Sequence, residues 1–228
     1  MTNYSRYAIY VMAEGDFHTQ ASHWLGWDSR LGNTVDHPTV EGLPDSIDRL
    51  TQTPRKYGFH GTIKPPFRLA DGETQTSLQE ACATLMPTLQ AASVDNLVIR
   101  PLGGFVAAVP SSSSISLQGL AANVVEKFDG FRAAPTKDEL EKRRKAGLSP
   151  TQEANLLRWG YPYVMDEFRF HMTLTGKRPT EEAEHIASRL GQHFAPVMPS
   201  PFAITSLGLL GEDEAGRFHL IHSYALAN

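Results

Sequence analysis

The chain is poor in cysteine, has no long apolar run and carries no strong charge of either sign. Cys82 is the only cysteine among 228 residues, which excludes an intramolecular disulfide and is typical of a reducing compartment. No run of about 18 apolar residues occurs, as a membrane-spanning helix would need. The first four residues lead almost directly into a predicted strand, without the apolar segment of a leader. These absences predict a cytoplasmic protein with no membrane partner.

The charge balance limits the kind of ligand. A formal net charge of −4 and a pI near 6.1 argue against the broad basic face of a protein that binds large nucleic acids. A small phosphate ligand remains compatible with that balance. With 41% hydrophobic residues, the chain can bury a core as one larger domain or as two lobes. We expect a monomer.

Motifs for metals and for nucleotide phosphates are missing. His219 and His222 are three residues apart in a predicted strand, so their side chains point to opposite faces and are not expected to bind one metal together. Cys-x-x-Cys and His-Glu-x-x-His spacings do not occur. The Gly103-Gly104 pair predicts a turn, because it lacks the glycine spacing and the Lys-Ser/Thr of a phosphate loop. Neither a metal nor a cofactor is predicted.

One short pattern, His-x-Thr, occurs twice in similar surroundings. FHGTI (Phe59–Ile63) and FHMTL (Phe170–Leu174) place their histidines 111 residues apart (171 − 60). Each lies in a predicted strand, whose successive side chains point to opposite faces. Strict alternation gives each strand an apolar face for a core and a polar face. The polar faces would carry Lys56, Gly58, His60, Thr62 and Lys64 in the first strand, and Arg169, His171, Thr173, Thr175 and Lys177 in the second.

Those polar faces have the composition of a site for proton transfer on an anion. Two imidazoles can form an acid–base pair, because a pKa near 6.5 lets one be neutral while the other is protonated. Each such role contributes about 10²–10⁴-fold in rate. The threonines follow about 7 Å along each strand and could bind phosphate oxygens. The candidates are His60 and His171 for catalysis, Thr62 and Thr173 for phosphate, and Lys64, Arg169, Lys56, Tyr57 and Tyr10 as substrate contacts.

Simpler interpretations exist for several of these candidates. A charged residue at a strand end is commonly solvated, and the two tyrosines could serve only to pack the core. The basic run Lys142–Lys145 is typical of an ion-paired helix surface, although it could also guide a polyanion to the site. A lone strand histidine is usually structural, and it is the duplication that favours function for His60 and His171.

Helices and strands alternate in an order that repeats. Capping boxes at Thr136/Glu139 and Ser149/Gln152 predict two helices between the signature strands, and Pro65-Pro66 is expected to end the first signature strand. Segment 30–54 is predicted to be mostly loop or short helix. The other predicted strands are 6–12, 96–101, 104–109, 202–210 and 217–226, and the predicted helices are 17–27, 76–92, 117–128, 136–146, 150–159 and 180–194.

Each signature strand is followed by a helix and two strands. This echo predicts an α+β fold of two antiparallel-sheet lobes, related by a pseudo-two-fold, whose signature strands meet in a central cleft. The chain would be a single bilobal domain, 1–228. Residues 1–110 would form the first lobe and 160–228 the second, joined by the helical connection 111–159. Its segment 136–159 would act as a lid or as scaffold.

The paired His-x-Thr strands resemble the 2H phosphoesterase superfamily, whose members have two such tetrapeptides in a bilobal α+β fold. The context KYGFHGTIKPPFRL is similar to one branch, an uncharacterised family encoded beside carbon–phosphorus lyase genes for phosphonate use. The resemblance implies metal-independent opening of a cyclic phosphodiester, such as a 2′,3′-cyclic nucleotide or a cyclic ribose phosphate. His60 and His171 would then be the acid–base pair, and Thr62 and Thr173 would bind the phosphate.

Two other functions use the same residues. An RNA-end processing or ligation enzyme could employ the two histidines, because attack by water and by a ribose hydroxyl share one geometry, but the acidic pI weighs against it. A non-catalytic sensor of a phosphate ligand would keep the cleft without the chemistry. Intact histidines in both copies argue against a sensor, since binding alone is served by arginine and backbone N–H groups.

Overall fold

Eleven strands and seven α-helices make up the computed structural model, which describes residues 4–227. The strands are β1 (Arg6–Met12), β2 (Trp27–Asp28), β3 (Asn33–Thr34), β4 (His60–Phe67), β5 (Ala92–Val94), β6 (Leu97–Leu102), β7 (Phe105–Pro110), β8 (Met172–Thr173), β9 (Phe202–Ile204), β10 (Ser206–Glu212) and β11 (Phe218–Ala225). The helices are α1 (Gly15–Leu25), α2 (Ile47–Arg55), α3 (Gln75–Leu85), α4 (Ile115–Lys127), α5 (Lys137–Arg144), α6 (Pro150–Trp159) and α7 (Thr180–Phe194).

Seven strands form one sheet in the order β11-β10-β1-β4-β8-β7-β6. Every neighbouring pair in it is antiparallel, which confirms the predicted α+β class with antiparallel sheet. The strands that carry the two signatures, β4 and β8, are neighbours near the centre and pair at Gly61 and Met172. Folding therefore brings two motifs that are 111 residues apart in sequence side by side.

The hairpins of the sheet are exchanged between the two halves of the chain. The hairpin β6–β7 follows the first signature strand but joins the sheet beside β8. The hairpin β10–β11 follows the second signature strand but joins beside β1, which pairs with β4. The predicted division into lobes at 1–110 and 160–228 therefore does not match the strand pairing, because each signature strand completes its part of the sheet with strands from the other half.

The two faces of the sheet differ in what covers them. Alternate residues of β1, including Ile9 and Val11, point into the main hydrophobic core, which also contains Trp24 of α1, Leu78 of α3 and Ile186 of α7. The opposite face carries a small cluster around Ala8, Tyr10, Met12, Leu210 and Phe218. Helices thus cover one face fully, and the other face stays open enough to form a cleft.

The first signature strand does not end at its two prolines. β4 runs through Pro65 and Pro66 to Phe67, so the predicted stop is wrong. Its register against β1 shifts twice, between the pairs Tyr10–Thr62 and Ile9–Lys64, and again before Tyr7–Phe67. Such bulges leave residues without a partner in the ladder, and a proline, which lacks the N–H, is tolerated there.

Local signals located the other elements well. β1 and α7 have the predicted bounds, and both capping boxes form, at Thr136 with Glu139 and at Ser149 with Gln152. The helix predicted over 76–92 ends at Leu85 and continues as a 3₁₀ turn and strand β5. Segment 30–54 contains β3 and most of α2. Between residues 4 and 227, no helix combines the length and the apolar character that crossing a membrane requires.

Candidate active site

A cleft of about 440 Å³ opens on the face of the sheet opposite the main hydrophobic core. Both signatures contribute to it: His60 and Thr62 from β4, and His171 and Thr173 from β8 and the residue before it. The structure therefore brings together all four residues that the sequence assigned to acid–base chemistry and to phosphate binding. Tyr10 and Tyr57, two of the predicted contacts, also line the cleft.

The two imidazoles are oriented by the same device. His60 Nδ1 lies 2.9 Å from the carbonyl oxygen of Gly58, and His171 Nδ1 lies 2.7 Å from that of Arg169. A carbonyl oxygen can only accept, so in each ring Nδ1 carries the hydrogen. In the neutral tautomer, Nε2 is then left with its lone pair. Both signatures thus present an Nε2 that can take up or release a proton.

His60 sits in the more enclosed of the two environments. Its ring stacks on the buried Tyr10, with centroids 3.8 Å apart and an interplanar angle of 21°. Its Nε2 lies 3.1 Å from the hydroxyl oxygen of Thr62, which can donate to it. Burial lowers the pKa of His60 to about 4, and the hydrogen bond to Gly58 offsets this in part while the nearby His171 adds to it. His60 is therefore held neutral at neutral pH.

His171 directly precedes a much shorter strand. β8 has two residues and pairs with β7 at Ala107 and Ala108. The nearest aromatic neighbour of the imidazole is Phe105, at 5.6 Å between centroids and tilted by 50°. The hydrogen bond from its Nδ1 is exposed to solvent. Within residues 4–227, the second signature thus has no counterpart to the stacked tyrosine of the first.

Two glycines in and beside the first signature allow neighbouring side chains to pack directly against the backbone. Gly58 has φ +71°, and a Cβ there would lie 2.5 Å from the Ser29 hydroxyl. At Gly61 a Cβ would lie 2.3 Å from the ring of Phe170, the first residue of the second signature. The x position of His-Gly-Thr is therefore a contact surface between the two motifs, which the sequence alone did not indicate.

Lys64 does not face the cleft. The bulge after Thr62 pairs Lys64 with Ile9, whose side chain lies in the main core, and so turns the lysine to the helix-covered face. Its ammonium donates to the Val125 carbonyl at 3.1 Å and lies 3.5 Å from Asp129. Burial lowers its pKa to about 8, against the opposing attraction of Asp129. The prediction from strict alternation is wrong for this residue.

Two other predicted contacts also lie outside the cleft. Arg169 lines a separate cavity with Arg100 and the serine run 111–114. Its backbone carbonyl, rather than its guanidinium, serves the site by orienting His171. Lys56 lines a neighbouring cavity that shares a wall with the cleft. The strand begins only at His60, so the alternation of faces that placed Lys56 beside His60 does not extend back to position 56.

Several residues of the cleft were not predicted. Arg6 and Tyr10 are four residues apart on β1 and so share a face, a signal that could have identified Arg6. Arg143 of α5 lies 4.7 Å over the ring of Tyr161, and both line the cleft. The helical connection therefore supplies part of the wall, which only tertiary structure could reveal. Lys177, described from the sequence only as a cation of the second polar face, lines the cleft as well.

Similarity to known sequences identifies the family. A family model described as "Protein of unknown function (DUF1045)" matches residues 62–219. The chain belongs to this family. The resemblance stated from KYGFHGTIKPPFRL, to an uncharacterised family, is thereby confirmed at this level.

Two curated relatives of this DUF1045 member carry the name Ribose 1,5-bisphosphate phosphokinase PhnN. The one from Janthinobacterium sp. (strain Marseille) is 36% identical over 219 residues, which is 93% of this chain and 48% of the relative. The one from Laribacter hongkongensis (strain HLHK9) is 32% identical over 215 residues, 92% of this chain and 49% of the relative. The chain spans about half the length of the curated relatives it matches.

Solved structures with a similar course of the chain include "Crystal structure of phosphoesterase", at 13% identity and a TM-score of 0.46 over 99% of this chain and 100% of that one. Another is Escherichia coli LigT complexed with 3'-AMP, at 14% identity and a TM-score of 0.48 over 99% and 100%. Neither score reaches 0.5, and the geometry of the cleft is therefore what bears on function. Among residues 4–227, no group of three or more His, Cys, Asp or Glu side chains is arranged to hold a metal ion.

Proposed function

We propose that this protein is a metal-independent phosphoesterase that opens a small cyclic phosphodiester by two-histidine acid–base catalysis. The observation that carries the proposal is the convergence of His60 and His171 in one cleft, each with Nδ1 bound to a backbone carbonyl and Nε2 left for chemistry. A matched pair of this kind, with hydroxyls beside it, has the groups that phosphodiester cleavage needs.

The environments of the two rings divide the roles. His60, kept neutral by burial, is the base: its Nε2 takes a proton from water as the water oxygen attacks phosphorus. The bond from phosphorus to the leaving ring oxygen breaks, and His171, acting as an imidazolium, gives the proton from its Nε2 to that oxygen. The product is a phosphomonoester with a free hydroxyl. Exchange of protons with solvent restores both rings.

Hydroxyl groups and a cation would hold the phosphate. Thr62 and Thr173 each lie two residues after a histidine and line the same cleft. Their hydroxyls can donate to the non-bridging oxygens, and that of Thr62 turns away from His60 Nε2 to do so, which frees this nitrogen to act as the base. Lys177 lines the cleft and would balance the negative charge of the phosphate. Donors already fixed where negative charge develops lower the barrier without further reorganisation.

The names of the relatives favour a ribose phosphate as substrate. Both are named for a kinase acting on ribose 1,5-bisphosphate, but this chain corresponds to only half of each. Nowhere does this chain contain the G-x-x-x-x-G-K-[ST] loop that holds ATP phosphates in many kinases. We infer that the kinase function belongs to the other half of those proteins, and that this half opens a cyclic ribose phosphate in the same branch of metabolism, which the sequence resemblance associates with phosphonate use.

Phosphorus NMR in the presence of EDTA tests the proposal directly. The panel contains 2′,3′-cyclic nucleotides and ribose 1,2-cyclic phosphate, and the variants are His60→Ala and His171→Ala. His222→Ala is the matched control, because His222 is an exposed histidine on β11 outside the cleft. We expect ring opening by the parent protein and the control, and its loss in both cleft variants.

Three outcomes would count against the proposal. A strict requirement for an added divalent metal would overturn the mechanism. Full activity in either cleft variant would remove that histidine from it. Binding of the cyclic phosphate without turnover by the parent protein would favour the sensor over the enzyme.

A further inference from the structure

A second cavity, of about 490 Å³, adjoins the cleft and carries an excess of positive charge. It is bounded by the end of β4, by the segment before β4, by α5 and by the end of α6. It shares Arg6, Tyr57, Pro66 and Arg143 with the cleft that holds the histidines. We call it the basic cavity. Its cationic side chains are Arg6, Lys56, Arg68, Arg132, Lys142 and Arg143.

Three of these six cations have carboxylate partners. Arg6 pairs with Glu212, Arg68 with Glu139 at 3.2 Å, and Arg132 with Asp129 at 2.9 Å. Within the described part of the chain, no carboxylate lies within 4.0 Å of the charged groups of Lys56, Lys142 or Arg143.

The excess of positive charge around the basic cavity is unusual for this protein. Its formal net charge is −4, so three cations without an ion-pair partner around one cavity are not the average character of its surface. Lys56 and Lys142 come from parts of the chain that are 86 residues apart (142 − 56), and the fold brings them to a common cavity. Cations gathered in this way attract and hold an anion.

The shared walls indicate how that anion reaches the cavity. Arg143 lies over Tyr161 within the cleft and also lines the basic cavity, and Arg6 likewise belongs to both. A ligand whose reacting phosphate sits between the two histidines can therefore extend past these arginines without leaving the protein. From this geometry we propose that the substrate carries a second phosphate, a phosphomonoester, that binds in the basic cavity while the cyclic phosphodiester is opened in the cleft.

This proposal rests on the proposed phosphoesterase function and specifies its substrate class. A sugar or nucleoside bearing both a cyclic phosphodiester and a terminal phosphomonoester fits a cavity of limited volume walled by β4, α5 and α6. An RNA backbone would need positive charge that continues over a longer surface, which the acidic protein as a whole does not favour.

A matched pair of substrates tests the turnover side. Adenosine 2′,3′-cyclic phosphate is compared with the same compound carrying a 5′-phosphate, for the parent protein and for Lys56→Gln and Lys142→Gln. We expect kcat/KM to be at least about tenfold higher for the 5′-phosphorylated ring, the factor that one charge-assisted hydrogen bond commonly supplies. The ratio should fall toward one in both variants, mainly through KM.

Lys145→Gln is the control for a general charge effect. Lys145 follows α5, is exposed and lines neither cavity, yet the substitution removes the same charge three residues from Lys142. In this variant the ratio of kcat/KM between the 5′-phosphorylated and the unphosphorylated ring should be unchanged. Equal kcat/KM for the two rings in the parent protein, or an equal fall of the ratio in all three variants, would overturn the proposal.

A binding measurement separates failure of this proposal from failure of the phosphoesterase function. Calorimetry compares adenosine 3′-phosphate with adenosine 3′,5′-bisphosphate, both of which can bind without being turned over. Tighter binding of the bisphosphate, by about tenfold and lost in Lys142→Gln, supports the second phosphate site even if no ring is opened. No preference for the bisphosphate would overturn it, whatever the enzyme assay shows.

A third arm distinguishes a small substrate from RNA. A four-nucleotide RNA ending in a 2′,3′-cyclic phosphate is compared with the 5′-phosphorylated mononucleotide. Similar kcat/KM values support the proposal. A further gain of tenfold or more with chain length would show that the cavity serves a polynucleotide and would overturn the assignment to a small phosphomonoester.

Discussion

The two signatures have the same residues and different surroundings. His60 lies on an eight-residue strand and stacks on Tyr10, whereas His171 precedes a two-residue strand and has only the tilted Phe105 beside it. The bond that orients each ring is the same, from Nδ1 to the carbonyl two residues earlier. The duplicated motif thus fixes the orientation of each ring, and burial lowers the pKa of His60, as the base of the proposed mechanism requires.

The largest expected effect is the loss of either imidazole. His60→Gln and His171→Gln should each lower the rate on a cyclic phosphate by about 10²–10⁴-fold, because each removes a positioned proton transfer. The acid and base roles of the two histidines can be distinguished with an aryl phosphodiester, whose nitrophenolate leaving group departs without protonation. His171→Gln should recover most of its activity on that substrate and His60→Gln should not. The reverse pattern, measured by nitrophenolate release, would exchange the acid and the base.

The pH dependence should show the enclosed environment of His60 directly. Because burial lowers the pKa of His60 to about 4, kcat/KM should fall on the acid side only as pH drops through that region, where the free enzyme gains a proton on its base. A bound phosphate anion favours the charged imidazole and raises this pKa, so the acid limb of kcat should lie at higher pH. Rate profiles and an NMR titration of the His60 resonance, identified by its absence in His60→Gln, would measure both. An acid limb of kcat/KM near the ordinary 6.5 would contradict the enclosed environment.

The contact between the two signatures can be tested at Gly61. A methyl group there would collide with the Phe170 ring, so Gly61→Ala should lower the free energy of unfolding by about 1–3 kcal/mol and reduce activity by displacing His171. Gly119→Ala is the matched control, because a Cβ at this glycine of α4 meets nothing within 4 Å. It should stabilise by about 0.5–1 kcal/mol. Denaturant unfolding measures the free energy of unfolding of both variants. Equal effects would show that the contact between Gly61 and Phe170 does not contribute to stability.

The smallest expected effect is at Lys64, whose amine is buried outside the cleft. Its pKa is lower in the folded protein, about 8, than its ordinary 10.5, so the unfolded chain binds this proton more tightly. Lys64 therefore costs stability below about pH 8, and that cost disappears as pH rises toward 10.5.

Lys64→Met should consequently raise the free energy of unfolding at pH 7 by about 1 kcal/mol, since Asp129 keeps Arg132 as a partner. The gain should shrink above pH 8, while activity is retained. The exposed Lys127→Met is the control, with an effect within about 0.5 kcal/mol. A large loss of activity in Lys64→Met would show that Lys64 takes part in the reaction despite its position outside the cleft.

Local sequence rules predicted what depends on a few neighbouring residues. The capping boxes at Thr136 and Ser149 formed because the partner of each cap lies three residues away. Alternation placed His60 and Thr62 on one face, and it failed two residues later, where a bulge against β1 turns Lys64 to the other face. A bulge depends on the partner strand, which the sequence of β4 does not specify.

The rest of the site depends on contacts between distant segments. Arg143 lines the cleft together with His60 and Thr62, although the sequence of α5 indicates only a charged, solvated helix. The stacking of Tyr10 on His60 and the contact of Gly61 with Phe170 require the sheet order, which the repeated pattern of elements did not reveal. The order of the strands was the main information missing from the sequence.

The exchange of hairpins also affects how the protein is made. β1 emerges from the ribosome 200 residues before the start of β10 (206 − 6), which at about 5–20 residues per second is a wait of roughly 10–40 s. Until then β1 can pair with β4 on one side only, and its other edge of buried residues is open. An open apolar edge invites pairing with other chains. The nascent protein therefore passes through a stage in which a chaperone would be most useful, and premature termination before β10 would leave that edge permanently exposed.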